Sequence, residues 1–265
     1  MLPNDSVDSI VTDPPYGLGF MGKAWDKLPP GQDWAEECLR VLKPGGHLLA
    51  FGGTRTWHRL AVAVEDAGFE IRDSIAWMYG SGFPKHRAAL KPAFEPIVMA
   101  RKPYKGSLTA NEAMHGTGGL NIDGCRIGTD EKLSIGSGRI NLEGGRGGAS
   151  GGKQHPSGRW PANVALDDAH AALFPESRFF FAAKAPRKER PVVDGVAHAT
   201  VKPLELMRWL VRLVTPLGGT VLEPFAGSGT TVEACILEGF HCIAIEREAE
   251  YLPLIQERIN RQDAA

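Results

Sequence analysis

Long apolar runs are missing from this 265-residue chain: no stretch approaches the roughly 18 residues that a membrane helix needs. The opening MLPNDSVDSI also lacks the basic region and apolar core of a secretory signal, so neither insertion nor export is expected. Cysteine is scarce. Cys38, Cys125, Cys235 and Cys242 lie far apart with no C-x-x-C pair, which argues against a structural zinc site and a disulfide framework and fits a reducing cytoplasm. No residue pattern calls for a metal. With 43% hydrophobic and 23% charged residues the composition is that of an ordinary globular protein, and the length allows one substantial core with a smaller inserted module.

The net charge of −1 conceals an uneven distribution. Residues 101–190 hold 14 Lys and Arg against 9 Asp and Glu, a net +5, and the remainder holds 16 against 22, a net −6. A basic segment in an acidic chain points to a local polyanion contact, although a solvated basic loop gives the same signal. Within it, Ser134 to Lys153 contains eight glycines and no apolar stretch. Such a piece cannot build a core and is expected to be mobile unless a ligand orders it.

Outside residues 104–190 short Val, Ile and Leu-rich runs alternate with amphipathic stretches. VDSIVT, GHLLAFGG, EIRDSIAWMYG and FEPIVMARK read as buried strands, and DWAEECLRVL and WHRLAVAVEDAG read as crossover helices. Pro44-Gly45-Gly46 is expected to end the first helix and turn the chain. The pattern resumes with a helix over Pro203 to Val214, strand TVLEPF, helix TTVEACILEG, strand HCIAIE and a terminal helix. The expected fold is α/β, a doubly wound, mostly parallel sheet with helices on both faces, formed by residues 1–103 and 191–265 around an irregular insert at 104–190.

Three features carry chemistry. VDSIVT ends in Asp13-Pro14-Pro15-Tyr16, where two prolines stop the strand in a rigid turn at the carboxyl edge of the sheet, the place where open α/β sheets bind ligands. Glu223-Pro224-Phe225-Ala226-Gly227-Ser228-Gly229-Thr230-Thr231 follows a strand and opens a helix, so its glycines allow close ligand approach to backbone donors. No lysine follows Gly229, which disfavours a triphosphate-binding loop. Glu246, at the end of the next strand and about 20 residues on, suits ribose hydroxyls, although a carboxylate at a helix start is also common for electrostatic reasons.

Together these motifs resemble the amino-methyltransferases of DNA, in the circularly permuted β class of bacterial and phage enzymes. DPPY is similar to the family's catalytic motif, FAGSGTT to its S-adenosylmethionine motif, and His198-Ala199-Thr200-Val201-Lys202-Pro203 to the segment before it. The resemblance covers residues 1 to about 103 and 178 to 261. It implies an S-adenosylmethionine-dependent methyl transfer to an exocyclic amine of a base flipped out of double-stranded DNA, with adenine N6 favoured and cytosine N4 the alternative. It departs from the class upstream of Asp13, where 12 residues hold no counterpart of a usual short strand.

An exocyclic amine is a poor nucleophile because its lone pair is delocalised. Asp13 and the Pro14 carbonyl can accept its hydrogens and stabilise the growing positive charge, while Pro15 fixes the turn and Tyr16 offers a stacking platform. No Pro-Cys pair is present, which excludes the covalent route of cytosine C5 methylation. The resemblance implies cofactor contacts from Asp13, Lys202, Glu223, Phe225, Gly227, Ser228, Gly229, Thr230 and Glu246. GTGGLNIDGCRIG and GRWPANV resemble a target-recognition region, so Arg139, Arg146, Lys153, Arg159 and Trp160 are expected to contact DNA. Homodimers are frequent in the class. No endonuclease segment is visible, which fits either an orphan or phage-encoded enzyme or the modification half of a restriction-modification pair. An RNA or protein methyltransferase and a catalytically dead DNA-binding module are the remaining readings.

Overall fold

The computed structural model describes residues 1–19, 22–27, 29–80, 82, 84, 87–128, 155–167 and 179–263. The glycine-rich stretch from Ser134 to Lys153, with Arg139, Arg146 and Lys153, lies outside them. The first half runs β1 (Val7–Thr12), α1 (Gln32–Val41), β2 (Leu42–Phe51), α2 (Trp57–Asp66), β3 (Glu70–Met78), β4 (Phe94–Arg101) and α3 (Leu108–His115). Then come β5 (Val164–Leu166), β6 (Phe180–Phe181) and the small hairpin β7 (Val192–Val193) and β8 (Val196–Ala197). The chain continues with α4 (Leu204–Val214), β9 (Thr220–Glu223), α5 (Thr230–Glu238), β10 (His241–Ala244) and α6 (Leu252–Asp263).

Among the described residues eight strands share one sheet in the order β10-β9-β1-β2-β4-β3-β5-β6. Pairing is parallel throughout except at β4, which runs antiparallel to β2 and β3. The expected doubly wound, mostly parallel sheet is present. All six residues of β1 are buried, since helices cover both faces of the sheet. On one face Ile10, Leu48 and Ala50 pack with Ala35, Cys38 and Val41 of α1 and Leu60 and Val64 of α2. On the other, Val11, Leu49 and Phe51 pack with Met207, Trp209, Leu210 and Leu213 of α4 and Ala234 and Cys235 of α5. Successive strand residues point to opposite faces, which gives each face its own apolar set.

Two expectations change. Pro44-Gly45-Gly46 does not end the helix: α1 stops at Val41 and Leu42 is already extended, at φ −66° and ψ 140°. The three residues instead form an irregularity inside β2, where the register against β1 jumps from Val7↔Leu42 to Ser9↔His47 and Gly45 takes φ +84°. Composition also separated residues 104–190 from the sheet, yet β5 and β6 extend its edge and Ala165 is fully buried in the common core.

The strand order sets the functional edge. From β1 the chain winds by α1 towards β2, and from β9 it winds by α5 to β10 on the opposite side, so the winding direction reverses between two parallel neighbours. Ser9↔Val221 and Ile10↔Leu222 keep β1 and β9 in step, so their carboxyl ends finish together. Crevices at such a reversal are where open α/β sheets take ligands.

Candidate active site

At that edge a cleft of about 750 Å³ opens, within the range of small-molecule sites. Asp13, Pro14, Pro15, Tyr16, Lys202, Glu223, Phe225, Gly227, Ser228, Thr230 and Glu246 all line it. Segments almost 190 residues apart meet directly: Lys202 Nζ stands 2.5 Å from Asp13 Oδ2. The same ammonium reaches Glu95 Oε2 at 3.3 Å. Burial opposes its charge, but the Asp13 and Glu95 carboxylates outweigh that cost and raise its pKa above the ordinary lysine value. The Tyr16 hydroxyl lies 2.9 Å from both Asp13 Oδ1 and Glu95 Oε2. Burial and the two carboxylates push its pKa well up, so it remains a neutral phenol.

The turn after β1 is held from outside. Asp26, buried, accepts from the backbone N–H groups of Tyr16 (2.7 Å), Gly17 (2.9 Å) and Leu18 (3.3 Å). Thr56 donates to the Tyr16 carbonyl at 2.6 Å, and the Tyr16 ring lies against Gly53, where a Cβ would stand 3.1 Å from it. Three backbone donors on one carboxylate fix the tyrosine before any ligand arrives.

On the opposite wall Glu223 is 1% exposed and accepts from Thr12, from Thr231 (2.6 Å) and from the Phe225 N–H (3.0 Å). Burial pushes its pKa up to about 7 in spite of those donors. It fastens β1, β9 and the start of α5 to one another. Glu246 accepts from the Gly227 N–H and the Glu248 N–H, each at 2.7 Å, which leaves each oxygen a further lone pair. Gly227, at φ +52°, has the His198 ring 3.3 Å from where a Cβ would be. His198 itself stacks on Trp25, with centroids 5.9 Å apart, and meets Tyr251 edge-on. Gly229 does not line the cleft. Its φ of +80° starts α5, and a Cβ would stand 3.1 Å from Ile255 Cα on α6.

Several residues were not singled out from sequence. Glu95, Asp26, Trp25, Tyr79 and Lys184 line the cleft. Fully buried Arg258 donates to the Ser228 carbonyl at 2.7 Å and to the Glu189 carbonyl at 2.5 Å, and pairs with Glu233, so α6 braces the glycine loop. The one sequence signal for Glu95 was a charged residue inside an apolar run, FEPIVMA. Of the expected DNA contacts, Arg159 forms a backbone bridge with Ile127, and Trp160, 65% exposed, lies beneath the Arg126 guanidinium at 5.4 Å.

A doubly wound sheet whose switch-point cleft joins a strand-end Asp-Pro-Pro-Tyr to a glycine loop and a downstream glutamate defines a class of cofactor-dependent group-transfer proteins. Residues 7–257 match the DNA methylase family N6_N4_Mtase, and the chain belongs to that family of DNA amino-methyltransferases. The type II methyltransferase M.HpaI of Haemophilus parainfluenzae is 27% identical over 269 residues, covering 98% of this chain and 70% of that protein. M.HindIII of Haemophilus influenzae is 27% identical over 243 residues, 82% of this chain and 63% of that one. Among solved structures, the M1.HpyAVI–SAM complex superposes with TM-score 0.56 at 20% identity, over 96% of this chain and 89% of the other. The cytosine-N4-specific PvuII DNA methyltransferase gives 0.55 at 17% identity, over 97% and 80%.

Proposed function

We propose that this chain transfers a methyl group from S-adenosylmethionine to adenine N6 in double-stranded DNA, on a base flipped into the cleft. The observation that carries the reading is the union of Asp13-Pro14-Pro15-Tyr16 and the glycine loop on one cleft, at adjacent ends of β1 and β9. Family membership and the similarity to the M1.HpyAVI–SAM complex support it. The donor set fits the cofactor: Glu246 keeps lone pairs for ribose hydroxyls, Gly227 lines the cleft without a side chain to fill it, and Phe225 and Trp25 offer apolar surface. When bound, S-adenosylmethionine supplies an electrophilic sulfonium methyl group.

The protein's own groups do the rest. Asp13 and the Pro14 carbonyl accept the amine hydrogens, which localises the nitrogen lone pair and stabilises its developing positive charge. Tyr16, fixed by Asp26 and Thr56, offers its ring to the flipped base. Glu223, buried and bonded to Thr12, Thr231 and the Phe225 N–H, acts by holding the two motifs in register. Arg159 and Trp160, with Arg139, Arg146 and Lys153, contact the duplex, and a homodimer is the assembly the resemblance implies. Cytosine N4 is the second reading, supported by the similarity to the PvuII enzyme. Incubating the purified chain with labelled cofactor and DNA, then identifying the labelled nucleoside, decides between them. N6-methyl-2′-deoxyadenosine is expected; N4-methyl-2′-deoxycytidine would move the assignment to cytosine, and an unlabelled digest would sink both.

A further inference from the structure

Resting on the reading as an amino-methyltransferase, we propose that Glu95 is the terminal acceptor of the proton that the target amine must release, reached from Asp13 through the Tyr16 hydroxyl. Four side chains close a ring. Lys202 Nζ contacts Asp13 Oδ2 at 2.5 Å and Glu95 Oε2 at 3.3 Å, and the Tyr16 oxygen lies 2.9 Å from Asp13 Oδ1 and 2.9 Å from Glu95 Oε2. The ammonium has a hydrogen for each of its contacts. The phenol has one hydrogen for two, and ionised carboxylates have none to give. The ring therefore has a place for one further proton.

Amine methylation releases one proton. The nitrogen lone pair forms the N–C bond, the methyl carbon's bond to sulfur breaks with its electrons left on sulfur, and the cationic nitrogen returns to neutrality by losing one N–H proton. Asp13 Oδ1 takes that proton and passes it to the Tyr16 oxygen, which hands its own hydrogen to Glu95 Oε2. At the end Glu95 is a neutral acid, Asp13 is again a carboxylate, Tyr16 is a neutral phenol and Lys202 is still charged. The geometry puts the proton on Glu95 because Asp13 holds the closer contact to the ammonium, 2.5 Å against 3.3 Å. Tyr16 cannot stop the relay as a phenolate, since burial and two facing carboxylates hold its pKa high. The other groups facing Glu95 are the Tyr79 hydroxyl, 3.3 Å from Oε1, and the Lys184 ammonium, which stands 3.8 Å over the Tyr79 ring. With its side chain 20% exposed in the cleft, Glu95 can then return the proton to water.

The test uses the intact chain as wild type, Glu95→Gln, Tyr16→Phe and the double variant. Single-turnover methyl transfer should fall about 100-fold or more in each single variant, the range of a lost acid-base partner. The double variant should be no slower than the worse single one, because both interrupt one path. Cofactor affinity by calorimetry should not change, and Glu95→Asp should recover part of the rate. A second readout needs no turnover. In the free protein the infrared C–O band of ring-labelled Tyr16 should move in Glu95→Gln, because the phenol then loses one of the two carboxylates it faces. Glu95→Gln at the wild-type rate, losses that multiply in the double variant, or a Tyr16 band indifferent to Glu95 would each overturn the proposal. A wild-type chain that methylates no DNA base would instead overturn the parent reading, and this one with it.

Discussion

Two buried titratable side chains are pulled in opposite directions by the same fold. Burial, reinforced by the Arg101 and Arg72 charges, lowers His47 from 6.5 to about 4, and burial raises Glu223 from 4.5 to about 7. The stability His47 contributes is present above pH 6.5 and is lost as the pH falls towards 4, because only the unfolded histidine takes up the proton. Glu223 does the reverse: its contribution is present below pH 4.5 and is lost as the pH rises through 7. Each amounts to about 3 kcal/mol, so the wild-type profile should be nearly flat in between. Urea titrations across this range should show stability falling with rising pH in His47→Gln and rising with pH in Glu223→Gln; three identical profiles would refute the opposition. At the site, Asp13→Asn should abolish methyl transfer while leaving cofactor affinity within a few-fold by calorimetry, and a parallel loss of affinity would assign Asp13 to the cofactor instead. The residues legible in sequence were those carried by contiguous motifs: Asp13, Tyr16, Lys202 and Glu246. Glu95 was not, because its meaning comes from a tyrosine 79 residues away and a lysine on a third segment, and alone it is one carboxylate in a strand.

The glycine loop separates two uses of the same residue type. Gly229 has φ +80° and its missing Cβ faces the Ile255 backbone, whereas Gly227 has φ +52° and its missing Cβ faces only the His198 ring. Gly229→Ala should therefore cost about 2 kcal/mol from the left-handed backbone alone, read as a melting-temperature fall of roughly 4–8 °C. Gly227→Ala carries the same left-handed cost but meets only a side chain that can move, so its melting temperature should fall less than that of Gly229→Ala while its cofactor affinity falls more; equal losses of both in the two variants would contradict this division. Strand and helix positions were largely legible, since burial on both faces leaves apolar runs and amphipathic periodicity. The reversal of β4 was not, because FEPIVMAR has the same composition read in either direction. Pro44-Gly45-Gly46 was misread for a related reason: the same residues that make a turn also make a bulge, and only the β1 register distinguishes them.

Across the whole molecule, composition isolated a basic segment but could not show that part of it belongs to the sheet, because β5 and β6 together supply only five residues of pattern. If that segment holds DNA, the affinity must respond to salt. Replacing Arg159 with Ala should lower the slope of log affinity against log salt by about one unit. Trp160→Ala should weaken binding at unchanged slope, since a ring releases no counterions. Filter binding over a salt series measures both, and an unchanged affinity in both variants would move recognition elsewhere. The seam between β1 and β9 has a further consequence. Asp13, Tyr16 and Glu95 precede residue 128, and Lys202, Glu223 and Glu246 follow residue 155, so a chain severed between those points yields two pieces, neither holding a complete site. The sheet interleaves strands of both, with β9 against β1 and β5 against β3. Such a split enzyme would work only on assembly, at a rate second order in its fragments, and methylation of DNA would report that the two had met.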